Sequence, residues 1–205
     1  MKICITLDDV LRAKTSQFGK IYKKHINPDI DLETLDFSSG DLCKIFNFKN
    51  KKEYETFLYV DYVFDIFAEA ITCEKMLDKK LNLWLLGLDD NEDLCEPVEL
   101  MLSNTMEFNA SIGFTYFFIS KTATRIREVF LPSDSSEIWD KCDVLITADT
   151  KLLKNKPQNK VVVKIETDYN KECDADFTYD KLSSFLEDKE ILNKIQKLNV
   201  EEHVQ

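Results

Sequence analysis

The chain has 205 residues, 44% of them apolar, and a formal net charge of −11. That is enough for one hydrophobic core, or a core with a small insert, and it excludes a disordered chain. An acidic chain of sequence pI about 4.8 repels nucleic-acid phosphates and anionic lipid, and the densest basic run, Lys49–Lys52, reads only as a solvated loop or helix start.

The elements follow in order. Residues 2–7 form a short apolar run that ends in Asp8-Asp9, a buried strand entering a loop. A helix is expected over 10–25, and turns at Asn27-Pro28-Asp29 and Phe37-Ser38-Ser39-Gly40. Residues 26–64 are rich in aromatics and interrupt the pattern, so they read as an insert within a single domain spanning 1–205. From Asp65 to Leu88 the spacing predicts a helix, broken at Asp89-Asp90-Asn91-Glu92-Asp93. Strands are expected at Val98–Leu102, Glu128–Leu131, Asp143–Thr147 and Val161–Ile165. Between them lie a helix over 108–125, a short helix over Ser135–Lys141 and a helical turn at Lys151–Lys154. A closing helix is expected over Thr178–Leu198. Strands alternating with helices predict an α/β fold: a Rossmann-like three-layer parallel sheet with a small, mostly helical cap-like insert.

The six cysteines (Cys4, Cys43, Cys73, Cys95, Cys142 and Cys173) are widely spaced, and Cys4 and Cys142 read as buried thiols. His25 and His203 have no second ligand type beside them, so no metal site is expected from them. The opening apolar run is too short for a signal peptide, and Leu83–Leu86 is far short of a membrane span, which predicts a cytoplasmic protein. Few Gly and Pro with many Lys, Asn, Asp and Ile is a bias common in AT-rich genomes, including those of many phages.

Four segments carry a family resemblance. Ile5-Thr6-Leu7-Asp8-Asp9-Val10-Leu11 resembles the first motif of the haloacid dehalogenase (HAD) superfamily, nearest to the Asp-x-Asp-Gly-Val-Leu of 5'(3')-deoxyribonucleotidase-like proteins. Val98-Glu99-Leu100-Met101-Leu102-Ser103-Asn104 is similar to the second, a strand ending in Thr or Ser. The slot of the third, a Lys after a short strand, falls at or near Ser135, with Lys141 the nearby cation. Asp143-Val144-Leu145-Ile146-Thr147-Ala148 occupies the place of the fourth, a strand ending in paired acids. In an open α/β sheet these strand ends converge on one crevice.

The resemblance implies roles. Phosphoryl transfer in this superfamily needs an aspartate nucleophile, and position 6 holds Thr6. Asp8 retains the second acid, which protonates the leaving group, and Ser103 the hydroxyl that binds phosphoryl oxygens. The acids that hold Mg²⁺ are replaced by Thr147 and Ala148, with Asp149 one residue late. The expectation is an emptied site with no catalytic residues, no metal and no cofactor. Asp8, Ser103, Asn104 and Asp149 remain as positions for any bound ligand. Plainer roles compete: Asp8 and Asp9 as caps of a helix near Val10, Ser103-Asn104 as another cap, and the aromatics Tyr54–Phe67 as core. Asp89–Asp93 lacks the Gly and distal Glu of a calcium loop.

The function expected is a catalytically inactive HAD-like module acting through a protein partner or as a homo-oligomer, with no nucleic acid and no membrane. It would be a structural subunit of a larger assembly, such as a phage virion. The alternatives are a phosphatase or 5'-nucleotidase of altered mechanism, using Mg²⁺ through Asp8 and Asp149, and a sensor that binds a phosphorylated ligand without hydrolysing it.

Overall fold

The computed structural model of the chain describes residues 1–89, 97–106, 108–123 and 125–202. Asp90–Asp93, Cys95 and His203–Gln205 lie outside the described residues. The centre is a sheet of six strands: β1 (Lys2–Thr6), β2 (Glu99–Ser103), β3 (Glu128–Phe130), β4 (Val144–Thr147), β5 (Val161–Ile165) and β6 (Phe177–Tyr179). Their order is β3-β2-β1-β4-β5-β6, and every pairing is parallel. The chain therefore builds outward from β1 to β3, then returns to β1 and builds the other way from β4. The reversal falls between β1 and β4, where an open α/β sheet leaves a crevice.

Side-chain alternation assigns the two faces. Ile3 and Ile5, Val144 and Ile146, and Val161, Val163 and Ile165 enter one core. That core is covered by α4 (Leu77–Asp89), α5 (Asn109–Thr122), α7 (Leu182–Glu187) and α8 (Ile191–Glu202), through Leu81, Phe118, Phe185 and Ile195. Cys4, Met101, Leu145 and Val162 point the other way. They pack on Ile138 and Trp139 of the 3₁₀ turn Ser135–Lys141 and on Leu152 and Leu153 of α6 (Thr150–Lys154). The result is the α/β three-layer parallel architecture.

A third core lies apart from the sheet. It joins Phe18, Ile21 and Tyr22 of α1 (Lys14–His25) to Phe46, Phe57, Leu58, Ile66 and Phe67. The rings pack as tilted and edge-on pairs, such as Phe18–Phe46 at 5.0 Å and Phe18–Phe57 at 5.1 Å. Helices α2 (Leu42–Ile45) and α3 (Lys51–Thr56) and the π turns Phe57–Asp61 and Phe64–Ala68 make up this region. Asn50 caps α3 through the Glu53 N–H.

Several elements differ from the periodicity. The helix expected over 10–25 starts only at Lys14, because the carbonyl of Leu7 takes the N–H groups of Leu11 and Arg12 in a loop. The helix expected over 65–88 breaks between Ala68 and Leu77. There Ala13 N–H donates to Ile71 and Cys73 N–H donates to Leu11, forming a stem that a helical backbone could not supply. The closing segment is a strand and two helices. Phe177–Tyr179 finds a parallel partner in β5, and Asp188 ends α7, accepting from Tyr179 Oη and from the Glu190 N–H. No helix among the described residues is long and apolar enough to cross a membrane.

Candidate functional site

The crevice is built from the ends of β1, β2 and β4. Ile5 pairs with Ile146, so the next residues, Thr6 and Thr147, stand side by side. Both are buried, and Thr6 Oγ1 lies 3.0 Å from Thr147 Oγ1, with Ile146 O at 3.4 Å. Thr147 Oγ1 also accepts the Asp149 N–H. The two hydroxyls thus close on each other at the floor of the crevice. Ala148, next in the chain, is fully buried, and its carbonyl accepts from Asn170.

Asp8 sits above them, held from several sides. Arg12 Nε and Nη2 both reach its Oδ1, at 2.8 and 2.5 Å, and Lys14 Nζ reaches Oδ2 at 2.9 Å. Asn104 completes the ring: its Nδ2 donates to Asp8 Oδ2, and its Oδ1 accepts the Asp8 N–H. Burial alone would raise the Asp8 pKa, but the charges of Arg12 and Lys14 and their hydrogen bonds prevail and hold it well below the usual carboxylate range. Burial likewise pulls on Lys14, yet Asp8 leaves that ammonium above its ordinary value. Arg12 is wholly buried. It also donates to Thr115 Oγ1 and to the Phe67 carbonyl, and it lies over the rings of Phe67 and Phe118.

Asp9 has a φ of 57°, in the left-handed region that favours glycine. Glycine is what the resembling motif carries there. Its carboxylate accepts from the Thr15 N–H, from Thr15 Oγ1 and from Tyr169 Oη. Asp9, not Asp8, therefore helps to cap α1, whose own N-cap residue Ala13 has no side chain for the task.

The remaining candidates divide. A cleft of about 220 Å³ brings together Thr6, Asp8, Asn104, Ser135 and Asp149, with Lys14, Lys151, Tyr59 and Thr105. Ser103 is buried, and its hydroxyl donates to the Phe130 carbonyl of β3, which spends its proton inside the sheet. Neither Ser103 nor Asn104 caps α5, which begins beyond them at Asn109. Asp149 is the N-cap of α6, accepting from the N–H groups of Lys151 and Leu152. Ser135 opens the 3₁₀ turn, which Asp134 caps. A neighbouring recess of about 270 Å³ continues from Asp8 and Lys14 towards Phe37, Gly40 and Tyr54.

Sequence reasoning missed the cations. Lys14 and Lys151 reach the cleft, whereas Lys141 lies against the Phe130 ring. The available signal for Arg12 is a single Arg inside the otherwise apolar run Val10-Leu11-Arg12-Ala13.

No protein-family model matches the sequence, and no curated protein matches it. Solved structures do. A protein described as a haloacid dehalogenase-like hydrolase from Bacteroides fragilis superposes with a TM-score of 0.52 at 9% identity, over 90% of this chain and 98% of its own. Two others so described are from Burkholderia xenovorans (TM-score 0.46, 10% identity, 94% and 97% covered) and Xanthomonas campestris (0.47, 7%, 96% and 98%). With its parallel sheet, its reversal at β1/β4 and its likeness to the Bacteroides protein, this chain has the haloacid dehalogenase-like fold.

Proposed function

We propose that this chain is a haloacid dehalogenase-like module that does not turn over phosphate esters and works through contact with another protein chain. The observation that carries this reading is the Thr6–Thr147 hydroxyl pair. It stands where the resembling motifs put the nucleophile and a metal-binding acid, and the glycine-like backbone of Asp9 supports that register. A threonine hydroxyl stays protonated at neutral pH, and no imidazole is placed among the cleft residues to take its proton.

The donor set does not fit Mg²⁺, which prefers carboxylate oxygens and water in octahedral geometry. Thr6, Thr147 and Ala148 bring no carboxylate, Asp8 is already neutralised by two cations, and Asp149 spends one oxygen on the cap of α6. Nor is Asp8 free to act as a general acid, since Arg12 holds one of its oxygens and Lys14 and Asn104 the other.

Contact with a partner is favoured by apolar side chains left on one region. Val60 is 69% exposed, and Phe64, Phe108, Tyr116 and Phe117 are each about two-fifths exposed or more. A subunit of a larger assembly, such as a virus particle, is one form this takes. Two measurements test the reading. Titration of the protein with Mg²⁺ in a calorimeter should give no saturable heat, and stoichiometric binding would count against it. Sedimentation of the native protein should show a complex or oligomer, and a clean monomer in source extracts would remove the partner.

A second reading has one observation in its favour: Lys14, Lys151 and Asn104 line the same cleft, so a phosphate group could be gripped without being hydrolysed. Titration with inorganic phosphate decides it. A saturable shift of the Lys151 and Asn104 signals supports the sensor, and its absence removes it.

A further inference from the structure

A cavity of about 410 Å³ opens beside Asp9, between α1, the Leu32–Phe37 stretch and the loop after β5, and it shares Asp9, Thr15, Phe37 and Tyr169 with the recess that runs to Lys14. Ala13, Gly19, Leu32 and Phe37 supply apolar wall. Its charged lining residues are Asp9 and Asp168, and no Lys or Arg is among them. Asp168 is exposed and already paired with Lys171. Asp9 is different. The nearest cations in the chain, Arg12 and Lys14, are both committed to Asp8, and among the described residues no cation pairs with Asp9.

A carboxylate taken from water without a counter-charge is costly, and burial does raise the Asp9 pKa against the hydrogen bonds of Thr15 and Tyr169 that lower it. Asp9 Oδ2 accepts two hydrogen bonds, but Oδ1 accepts only the Thr15 N–H and keeps an acceptor position. Thr167, in the same lining, keeps its hydroxyl buried beside Tyr169 and does not present it to the cavity. The cavity therefore combines an acid without a counter-charge and an apolar wall. A ligand complementary to it carries several N–H donors on a positive charge at one end and a hydrophobic group at the other.

We propose that this cavity is a ligand site for a small primary amine bearing an aromatic or branched apolar group, with its ammonium at Asp9. Of the motif residues the site takes only Asp9, and Thr6, Asp8, Ser103, Thr147 and Asp149 are not in its lining, so it stands whether or not the neighbouring cleft turns over phosphate. The alternative is that Asp9 only caps α1 and anchors Tyr169.

The test titrates the full chain with phenethylamine, 2-phenylethanol and phenylacetate, followed by amide chemical shifts. The amine should bind saturably and move the amides of Thr15, Ser16, Gly19 and Tyr169. The alcohol should bind about tenfold more weakly or worse, as expected for loss of a charge-assisted hydrogen bond. Phenylacetate should not bind. Asp9→Asn should weaken the amine to the level of the alcohol. Ser16→Trp, at an exposed lining position, should block all binding while the fold persists, and it decides the matter if Asp9→Asn does not fold. No saturable amine binding at millimolar concentration overturns the proposal. So does equal affinity for the three probes, or unchanged binding in Ser16→Trp.

Discussion

Asp8 is the residue on which the site turns. Its carboxylate receives Arg12, Lys14 and Asn104, so it works as the hub of a buried polar network. Removing one partner of such a pair strands the other. Arg12→Met should therefore cost about 3 kcal/mol or more in urea unfolding, since Arg12 is wholly buried. The pH dependence has a definite sign. The folded pKa of Asp8 is depressed, so its stabilisation is fully present above the unfolded value of about 3.9 and is lost as pH falls toward the folded value. Asp8→Asn should then be clearly less stable than the parent at pH 7, with the gap closing below about pH 4. A gap that is constant with pH would mean the charge is not what stabilises. Asp9 has the opposite sign: burial raises its pKa, so its stabilising contribution is present at low pH and lost as pH rises through the folded value. These roles were only half legible in the sequence. The motif spacing located Asp8, but local sequence cannot say which of two adjacent acids faces a cap and which faces two cations. That choice follows from the φ of 57° at Asp9, which turns the two side chains apart.

Among the elements, the strands were legible and the breaks were not. The runs ending at Thr6, Ser103, Thr147 and Ile165 are apolar on both faces, as buried parallel strands must be, and they are strands in the fold. β6 is three residues long and partly exposed, so it has no run to read, and only its pairing with β5 makes it a strand. The break after Ala68 likewise depends on a partner distant in sequence, the stem at Leu11–Ala13. We propose that the insert is a folding unit reaching beyond 26–64 to include α1, because Phe18 and Tyr22 pack in its core. It meets the sheet side at Gly40, whose φ of 65° and closeness to Tyr169 leave no easy room for a side chain; a Cβ there would lie 3.3 Å from Tyr169 Cβ. Gly40→Ala should cost about 1–2 kcal/mol by strain alone, measured by chemical unfolding. It should also raise protease cleavage in the Leu32–Leu42 stretch. No change in either would mean that the insert does not rest on Tyr169.

For the molecule as a whole, the fold was the most legible level, because alternating strand and helix patterns allow few topologies and the strand ends are forced to one side. What the fold does at that side was legible only as an expectation, drawn from the residues at Thr6, Ser135, Thr147 and Ala148. The sequence showed Thr6 and Thr147 separately; the structure adds that they are neighbours, joined by a hydrogen bond on the crevice floor. The exposed aromatics of α5 and the π turns could not be foreseen, since α5 is apolar on both faces and its outer rings look like core in sequence. Phe117→Lys should leave stability within about 0.5 kcal/mol, as for other surface changes, while shifting any oligomer toward monomer in sedimentation. The most direct test of the central claim is turnover: the purified chain with Mg²⁺ and a panel of nucleotide monophosphates and p-nitrophenyl phosphate, beside its Asp8→Asn variant. The account predicts no Mg²⁺-dependent phosphate release above background in either protein. Mg²⁺-dependent turnover that disappears in Asp8→Asn would contradict it.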